Sequence, residues 1–341
     1  MAAAGSGSLT RYVVQRVLLI IPMIWVLLTL VFVLLRVAPG DPVTAAVGDK
    51  LNADALAQRR EALGLDRSLI VQYFDYLGQV ARLDFGVTIS DKQPITSIIV
   101  ENGGATLTLT LGGMLIALVL GIPLGRWGAR RRDSVSDIVI RVFAIVSYAA
   151  PVFFTGLMFR LVAGDLGLPT YDIASPVTKF TVEPVTHILL VDSLIGGDIG
   201  AFTDVLVHHV LPCLTLGILL SGVFIRLVRV NMLQTLQGDY VEAARARGVA
   251  ERHVVRRHAF RNALVPVVTV IGLQVALAMS GAVLTERTFN WPGLGSQLLD
   301  YITARDYQAV QGIITFFAIV VVLVSLAVDI VNALIDPRVR Y

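Results

Sequence analysis

The sequence predicts an all-α, polytopic membrane protein with six transmembrane helices. Hydrophobic residues fill 55% of the 341 positions and charged residues only 16%, whereas soluble domains carry about 25% charged residues. The mean hydropathy is +0.75. The apolar residues also occur in runs of about 20, the length that a helix needs to cross a bilayer. Together these observations exclude an ordinary soluble domain.

Six apolar runs give the predicted spans in chain order: 12–35, 105–125, 138–163, 211–230, 263–284 and 312–335. The first run contains 19 consecutive residues without a charge, 17–35. That length exceeds the core of a signal peptide, and no small-x-small cleavage site follows it. We therefore interpret the first run as a retained span.

The distribution of charged residues orients these spans. Six spans place both termini on one side, and the segments on that side contain 17 of the 28 Lys and Arg residues but only seven of the 25 Asp and Glu residues. Cytoplasmic loops carry an excess of Lys and Arg. Both termini and the loops 126–133 and 231–262 are therefore predicted to be cytoplasmic.

The segment between the first two spans, 37–102, is polar or mixed and predicts a small extracytoplasmic subdomain. It contains amphipathic helical patterns near 52–63 and 69–80. The chain then divides into an N-terminal region, 1–104, and a five-helix core, 105–341, whose cytoplasmic loop is 231–262.

One short stretch of that loop, 239–248, predicts a helix of its own. Asp239 is expected to cap the first backbone N–H groups, and Glu242 has the spacing of a capping box. Ala243 and Ala244 are strong helix formers with small side chains, and Gly248 is a natural left-handed stop. Such a helix either docks in a groove of another protein or is a solvated connector. Spacing leaves both open.

The sequence contains no signature of a nucleotide site or a catalytic centre. None of its three Lys residues follows a Gly, so it has no GxxxxGK[ST] phosphate loop. Its five His residues form no metal-ligand spacing. We predict that the chain is not an enzyme and binds no cofactor itself. The Arg residues of 245–261 fit the charge bias of a cytoplasmic loop and do not indicate nucleic-acid binding.

Two features inside the spans predict internal contacts. Gly121 and Gly125 form a GxxxG spacing, which lets helices approach closely; we favour packing within the chain over a dimerisation face. Asp329 lies within the last span, where a lone carboxylate is costly. Arg141, Arg160 and Arg226 are the candidate partners for an intramembrane ion pair, and we favour Arg141.

Several motifs carry a resemblance to a known family. Glu242-Ala-Ala-x-x-x-Gly248 resembles the EAA loop in the inner-membrane subunits of bacterial ABC importers, although the usual Ile-x-Leu-Pro continuation is replaced by 258–261, His-Ala-Phe-Arg. Further stretches resemble the peptide and nickel class of these permeases, and within it the B-type subunits of dipeptide and oligopeptide importers. They include Arg36-x-x-Pro-Gly-Asp-Pro42, Asp84-Phe-Gly86, His209-x-Leu-Pro212, Arg257-His-Ala-x-x-Asn-Ala-Leu264 and Phe289-x-Trp-Pro-Gly-Leu-Gly295.

The resemblance implies a type I importer permease of the bacterial cytoplasmic membrane that forms half of a pathway for dipeptides or oligopeptides. The implied partners are a second homologous permease subunit, ABC ATPase subunits that bind ATP and Mg, and an extracytoplasmic substrate-binding protein. The stretch 239–248 would then dock on the ATPases. The expected docking residues are Asp239, Tyr240, Glu242, Ala243, Ala244, Arg247 and Gly248.

The pathway itself is less defined by the sequence. Gln274, Met279 and Ser280 in the fifth span, and Trp291 in the following loop, are candidates for the pore or its outer gate. Trp291 could equally be an interfacial anchor. Nickel chelates or haem remain alternative substrates within the same class. A stand-alone channel or secondary transporter and a membrane scaffold are alternatives of other classes, which the subunits that co-purify would distinguish.

Overall fold

The computed structural model describes residues 6–37, 44, 53–62 and 64–335. Within these ranges the chain is helical and forms no β-strand, which confirms the predicted all-α class; one isolated bridge joins Val87 and Pro94. In chain order the helices are α1 (Ser6–Val37), α2 (Ala53–Ala62), α3 (Leu69–Ala81), α4 (Ile95–Arg130), α5 (Val135–Ala149), α6 (Val152–Asp165), α7 (Pro176–Thr181), α8 (Leu189–Ile195), α9 (Ile199–Leu236), α10 (Asp239–Ala246), α11 (Glu251–His253), α12 (Phe260–Ala263), α13 (Val265–Phe289), α14 (Leu294–Thr303) and α15 (Tyr307–Ile335).

Four of the described helices, α1, α4, α9 and α15, are each long and apolar enough to cross a membrane. Two further crossings would each consist of helices that meet at an angle. α5 and α6 meet at 107°, and the segments 251–263 and 265–279 meet at 42°. The predicted six spans therefore correspond to the helices only if each bent pair is one crossing.

The predicted span 138–163 is not one straight helix, because the chain turns by 107° between α5 and α6. Ala150 has extended backbone angles, φ −69° and ψ 131°, and Pro151 follows it. A residue before Pro is disfavoured in the helical conformation, and Pro has no N–H to donate. These two effects end α5 and start α6 in a new direction.

The centre of the protein is the interface between α4 and α9, which run parallel. A Cβ at Gly121 would lie 2.5 Å from the Cβ of Phe224, and one at Gly125 would lie 2.7 Å from the carbonyl oxygen of Ile225. These glycines permit the close approach of the two helices. The predicted role of the GxxxG spacing in packing within the chain is confirmed.

The N-terminal helices pack against the last helix rather than against this centre. Phe32 of α1 and Tyr76 of α3 are buried and stack with ring centroids 5.8 Å apart. The Tyr76 hydroxyl forms a 2.7 Å hydrogen bond with the Thr315 hydroxyl of α15. The region boundary predicted at 104 falls inside α4, so this helix belongs to both proposed regions.

The long helices place two groups of loops at opposite ends of the molecule. We name them by one residue each: the Gly248 end contains 126–134 and 237–264, and the Trp291 end contains 84–94, 166–198 and 285–306. α4, α9 and α15 run from the Trp291 end to the Gly248 end, and α13 returns.

Candidate functional site

The helix predicted at 239–248 exists as α10, but it begins differently from the prediction. Gly238 is the N-cap residue, and no side chain caps the helix. The Gly238 carbonyl accepts hydrogen bonds from the N–H groups of Val241 (2.8 Å) and Glu242 (3.3 Å). Asp239 is therefore the first helical residue, and the predicted capping box is wrong. Asp239 and Glu242 still lie in the first turn, where acidic groups stabilise a helix.

The end of α10 agrees with the prediction. Gly248 has φ +73°, a left-handed conformation that glycine adopts without the steric cost of a Cβ. Its N–H donates to the Arg245 carbonyl (2.9 Å), and the N–H of Val249 donates to the Ala244 carbonyl (3.2 Å). This pair of bonds is a Schellman motif, so Gly248 terminates the helix as expected.

One face of α10 is buried within the chain and the other is exposed. Val241 and Ala244 have no exposed surface and join the central apolar cluster. The prediction that Ala244 belongs to the docking surface is therefore wrong. The exposed residues of the helix and its end are Asp239, Tyr240, Glu242, Ala243, Arg245, Ala246, Arg247 and Gly248.

The buried face of α10 rests on a π-helical turn, Val254–Ala259, that joins α11 to α12. Val254, Val255 and Ala259 are buried in the same cluster as α10. This turn covers the start of the region where the family's Ile-x-Leu-Pro block is replaced. π-turns often occur at functional sites, and the apolar periodicity of the sequence did not reveal this one. The side chain of His258 lies outside the described part.

An exposed ion pair connects α10 to α11. The Arg245 guanidinium donates to both carboxylate oxygens of Glu251, at 2.8 and 3.1 Å. The Arg245 hydrogen bond lowers the pKa of Glu251, and the same bond raises the pKa of Arg245. The pair closes the loop that carries Gly248, although its exposure keeps its contribution to stability small.

At the opposite end, Trp291 is an internal anchor and not a surface residue. Its indole is buried, and the indole N–H donates a 2.9 Å hydrogen bond to the Ala105 carbonyl of α4. The His209 ring of α9 contacts it edge-on, with centroids 4.6 Å apart. The indole is enclosed by its own chain. Trp291 is therefore neither an interfacial anchor nor a pore-lining side chain in this structure, and that prediction is corrected.

A buried carboxylate, which the sequence did not reveal, holds the same loop. Glu286 has no exposed surface and accepts hydrogen bonds from the Thr106 hydroxyl (2.6 Å) and the Ser296 N–H (2.7 Å). The Thr106 hydroxyl in turn accepts from the Leu294 N–H (2.8 Å). A Cβ at Gly293 would lie 2.6 Å from Glu286 Oε2. Thr106, Glu286 and the Trp-Pro-Gly-Leu-Gly segment 291–295 thus form one unit, which we call the loop clamp.

The three pore candidates of α13 differ in burial. Gln274 is buried and Met279 is half-buried, and the side chain of Ser280 lies outside the described part. Their role in a pathway stays a prediction. Within the described ranges no three His, Cys, Asp or Glu side chains are grouped so that they could hold a metal ion.

The predicted ion pair between Asp329 and Arg141 is wrong. Asp329 instead lies 3.2 Å from Arg16 of α1, and Arg141 lies 3.6 Å from Asp137, one turn earlier on its own helix. Asp137 is buried and also bonded by Arg229 of α9, at 2.6 and 2.7 Å. The apolar runs did not show that α1 packs beside α15, so the true partner of Asp329 was not predictable from them.

A family model described as "Binding-protein-dependent transport system inner membrane component" matches residues 121–341, and a second model for the N-terminal part of such membrane components matches 9–110. The chain is 35% identical over 335 residues to the "Dipeptide transport system permease protein DppB" of Escherichia coli (strain K12), covering 97% of this chain and 99% of that protein.

Two further relatives show the same full-length similarity. The "Di/tripeptide transport system permease protein DppB" of Pseudomonas aeruginosa (strain UCBPP-PA14) is 37% identical over 337 residues, 97% of this chain and 98% of the relative. The "Glutathione transport system permease protein GsiC" of Salmonella choleraesuis (strain SC-B67) is 34% identical over 333 residues, 97% and 99%.

Proposed function

Because the chain belongs to the family of inner-membrane components of binding-protein-dependent transport systems, it is a permease subunit of an ABC importer, and we propose that its substrates are short peptides. It is a multi-pass component of the bacterial inner membrane and not itself an enzyme. The observation that carries the substrate proposal is the near full-length similarity to relatives named for dipeptides, di- and tripeptides and glutathione. The last of these is itself a tripeptide.

The other subunits of the importer are proposed from the family and from the absence of a phosphate-binding loop in this sequence. A second homologous permease would complete the pathway, and a substrate-binding protein would deliver peptide at the Trp291 end. ABC ATPase subunits would bind ATP and Mg and dock at the Gly248 end, since the sequence has no phosphate-binding loop. In this arrangement both termini and the Gly248 end are cytoplasmic.

The exposed face of α10 supports ATPase docking. Tyr240, Ala243 and Arg247 lie on one side of the helix and are all exposed. Two acidic residues lie in the first turn of α10. The small side chain of Ala243 lies in the middle of the exposed face and leaves room for a partner there. A helix that is anchored on one face and bare on the other can enter a groove of another protein without rearranging its own chain.

The substrate is tested with the purified complex in proteoliposomes that contain ATP and its binding protein. Labelled dipeptide and tripeptide should accumulate inside, and unlabelled peptide should compete. Nickel chelates and haem serve as rival substrates in the same assay. Accumulation of either rival without peptide uptake would reject the peptide proposal and leave the family assignment untouched.

The docking role is tested with Glu242→Gln, which removes one exposed charge from α10. Uptake per ATP hydrolysed should fall, while the binding protein still associates at the other end. The matched control is Asp133→Asn, an exposed carboxylate of the same end that lies outside α10. Its φ of +61° suits Asn as well as Asp. Equal coupling in the two variants would contradict a role for Glu242 in docking.

A further inference from the structure

A cavity of about 520 Å³ lies at the Gly248 end of α4, outside the docking surface of α10. Its lining is Pro123, Arg126, Trp127, Arg130 and Arg131. Three of these five residues are cationic and one is an aromatic residue that is half exposed. The cavity therefore places three positively charged side chains next to the apolar surface of Pro123 and Trp127.

The positive charge of this cavity is not balanced by the described part of the chain. No carboxylate there lies within 4 Å of the guanidinium groups of Arg126, Arg130 or Arg131, whereas the next residue, Arg132, pairs with Asp133 at 3.2 Å. Glu251 is close enough to Arg130 to interact with it electrostatically, but its carboxylate is already bonded by Arg245.

Arg126 provides a more specific sign of a missing partner. Its Nε is buried and has no hydrogen-bond partner among the described residues. Its guanidinium lies over the Phe260 ring, 5.0 Å from the centroid. A buried N–H group without an acceptor is unfavourable, so a rotation of this side chain that brings the group to an acceptor in the cavity would be favourable.

An apolar row on α4 leads directly to this cavity. At every fourth position an exposed side chain continues one ridge that winds part of the way around the helix toward the cavity: Leu107, Leu111, Leu115, Val119, Pro123 and Trp127. From 107 to 123 the row is about 24 Å long at 1.5 Å per residue, close to the hydrocarbon thickness of a bilayer. Trp is typical of the membrane–water interface, so Trp127 and the arginines lie where a headgroup ends and an acyl chain begins.

We propose that this cavity binds the phosphate of an anionic phospholipid, with Arg126, Arg130 and Arg131 around the phosphate and the acyl chain along the apolar row of α4. A phosphate oxygen in the cavity would supply an acceptor to the Arg126 guanidinium once that side chain turns toward it, since guanidinium and phosphate form charge-assisted hydrogen bonds. Arg126 also covers the ring of Phe260, and Phe260 directly follows the π-turn that supports α10. The proposed site therefore contacts the element on which α10 rests. This inference requires only that the chain spans a membrane and is independent of the peptide substrate and of ATPase docking.

The test uses the full chain, purified with its accompanying subunits, in nanodiscs that contain brominated lipid. Bromine quenches the fluorescence of a nearby Trp, so the component that disappears in Trp127→Phe reports lipid at the cavity. Brominated phosphatidylglycerol should quench this component at a lower mole fraction than brominated phosphatidylcholine. Arg126→Gln and Arg130→Gln should each reduce that preference about fivefold, the effect of about 1 kcal/mol per basic residue near an anionic membrane.

The matched control is Arg132→Gln, which removes the same charge two residues after Arg130 and should keep the preference for phosphatidylglycerol. Equal loss in Arg132→Gln and Arg130→Gln would reduce the effect to general surface charge and overturn the proposal. Absence of quenching by either lipid would show that another subunit covers Trp127, and would also overturn it. Loss of the preference on addition of inorganic phosphate, with no dependence on lipid, would identify a site for a free anion instead.

Discussion

At the Gly248 end a glycine terminates a helix whose carboxylates are exposed, whereas at the Trp291 end two glycines enclose a carboxylate that solvent does not reach. No hydrogen bond or ion pair joins the Glu242 side chain to another described residue, while Glu286 accepts hydrogen bonds from Thr106, 180 residues away, and from Ser296 of α14. At the Gly248 end, the carboxylate oxygens of α10 remain available as acceptors for another protein. At the Trp291 end, the carboxylate oxygens of Glu286 accept hydrogen bonds within the chain. Substitutions at the loop clamp should therefore change stability, and those on the exposed face of α10 should change only communication with partners.

The largest effect on stability is expected from Glu286→Ala. The variant leaves the Thr106 hydroxyl and the Ser296 N–H without their buried acceptor, at about 1–3 kcal/mol for each. The thermal unfolding midpoint of the purified chain in detergent should fall clearly. Arg287→Ala, which removes an exposed ion pair with Asp300, is the neighbouring control and should cost less than about 1 kcal/mol. Equal midpoints for the two variants would mean that the loop clamp does not stabilise the fold.

A smaller loss, about 1–3 kcal/mol from overpacking, is expected for Gly293→Ala. Gly293 has φ −101°, which any residue adopts, so the cost comes from the contact with the Glu286 carboxylate alone. Combining Gly293→Ala with Glu286→Ala should therefore cost less than the sum of the two changes, because the second creates room for the first. Gly164→Ala, where a Cβ meets nothing within 4 Å, is the control. Strict additivity of the double variant would exclude the proposed contact.

The contrast also explains which features could be predicted from the sequence. The helical class, the position and end of α10 and the packing of Gly121 depend on local spacing, and the structure agrees with them. Glu286 was missed because a carboxylate just after an apolar run is usually solvated, and its partner Thr106 is 180 residues away. The Gly-Leu-Gly spacing of 293–295 was the one local signal that a bulky group approaches that backbone.

Local spacing was also insufficient where two local effects compete. Asp239 fits a capping position, yet Gly238 takes that place and the helix starts one residue earlier than a side-chain cap would allow. Pro151 explains why α5 ends, but the 107° between α5 and α6 depends on how both helices pack. The pairing of Asp329 with Arg16 depends on the neighbourhood of α1 and α15, which no motif encodes.

Next in size is Gly248→Ala, at the end of α10. A Cβ there would meet nothing within 4 Å, so the expected cost, about 1 kcal/mol, comes only from the left-handed backbone. Gly248→Asn should cost less, since Asn tolerates this conformation. The effect on uptake per ATP hydrolysed should follow the same order. A loss of coupling as large in Gly248→Asn as in Gly248→Ala would show that the Gly itself, and not the helix end, contacts the partner.

The smallest effect on stability is expected for Ala243→Leu, on the exposed face of α10. The added side chain meets solvent, so the unfolding midpoint should stay within the range typical of surface substitutions, about 0.5 kcal/mol. Its bulk stands in the middle of the docking surface, however, and should lower both ATPase association and uptake. Ala244→Leu, one residue later but fully buried, should instead destabilise the chain by about 1–3 kcal/mol through overpacking. If Ala243→Leu preserved full association and uptake, the exposed face of α10 would not be the contact surface, and the difference between the two ends would concern stability alone.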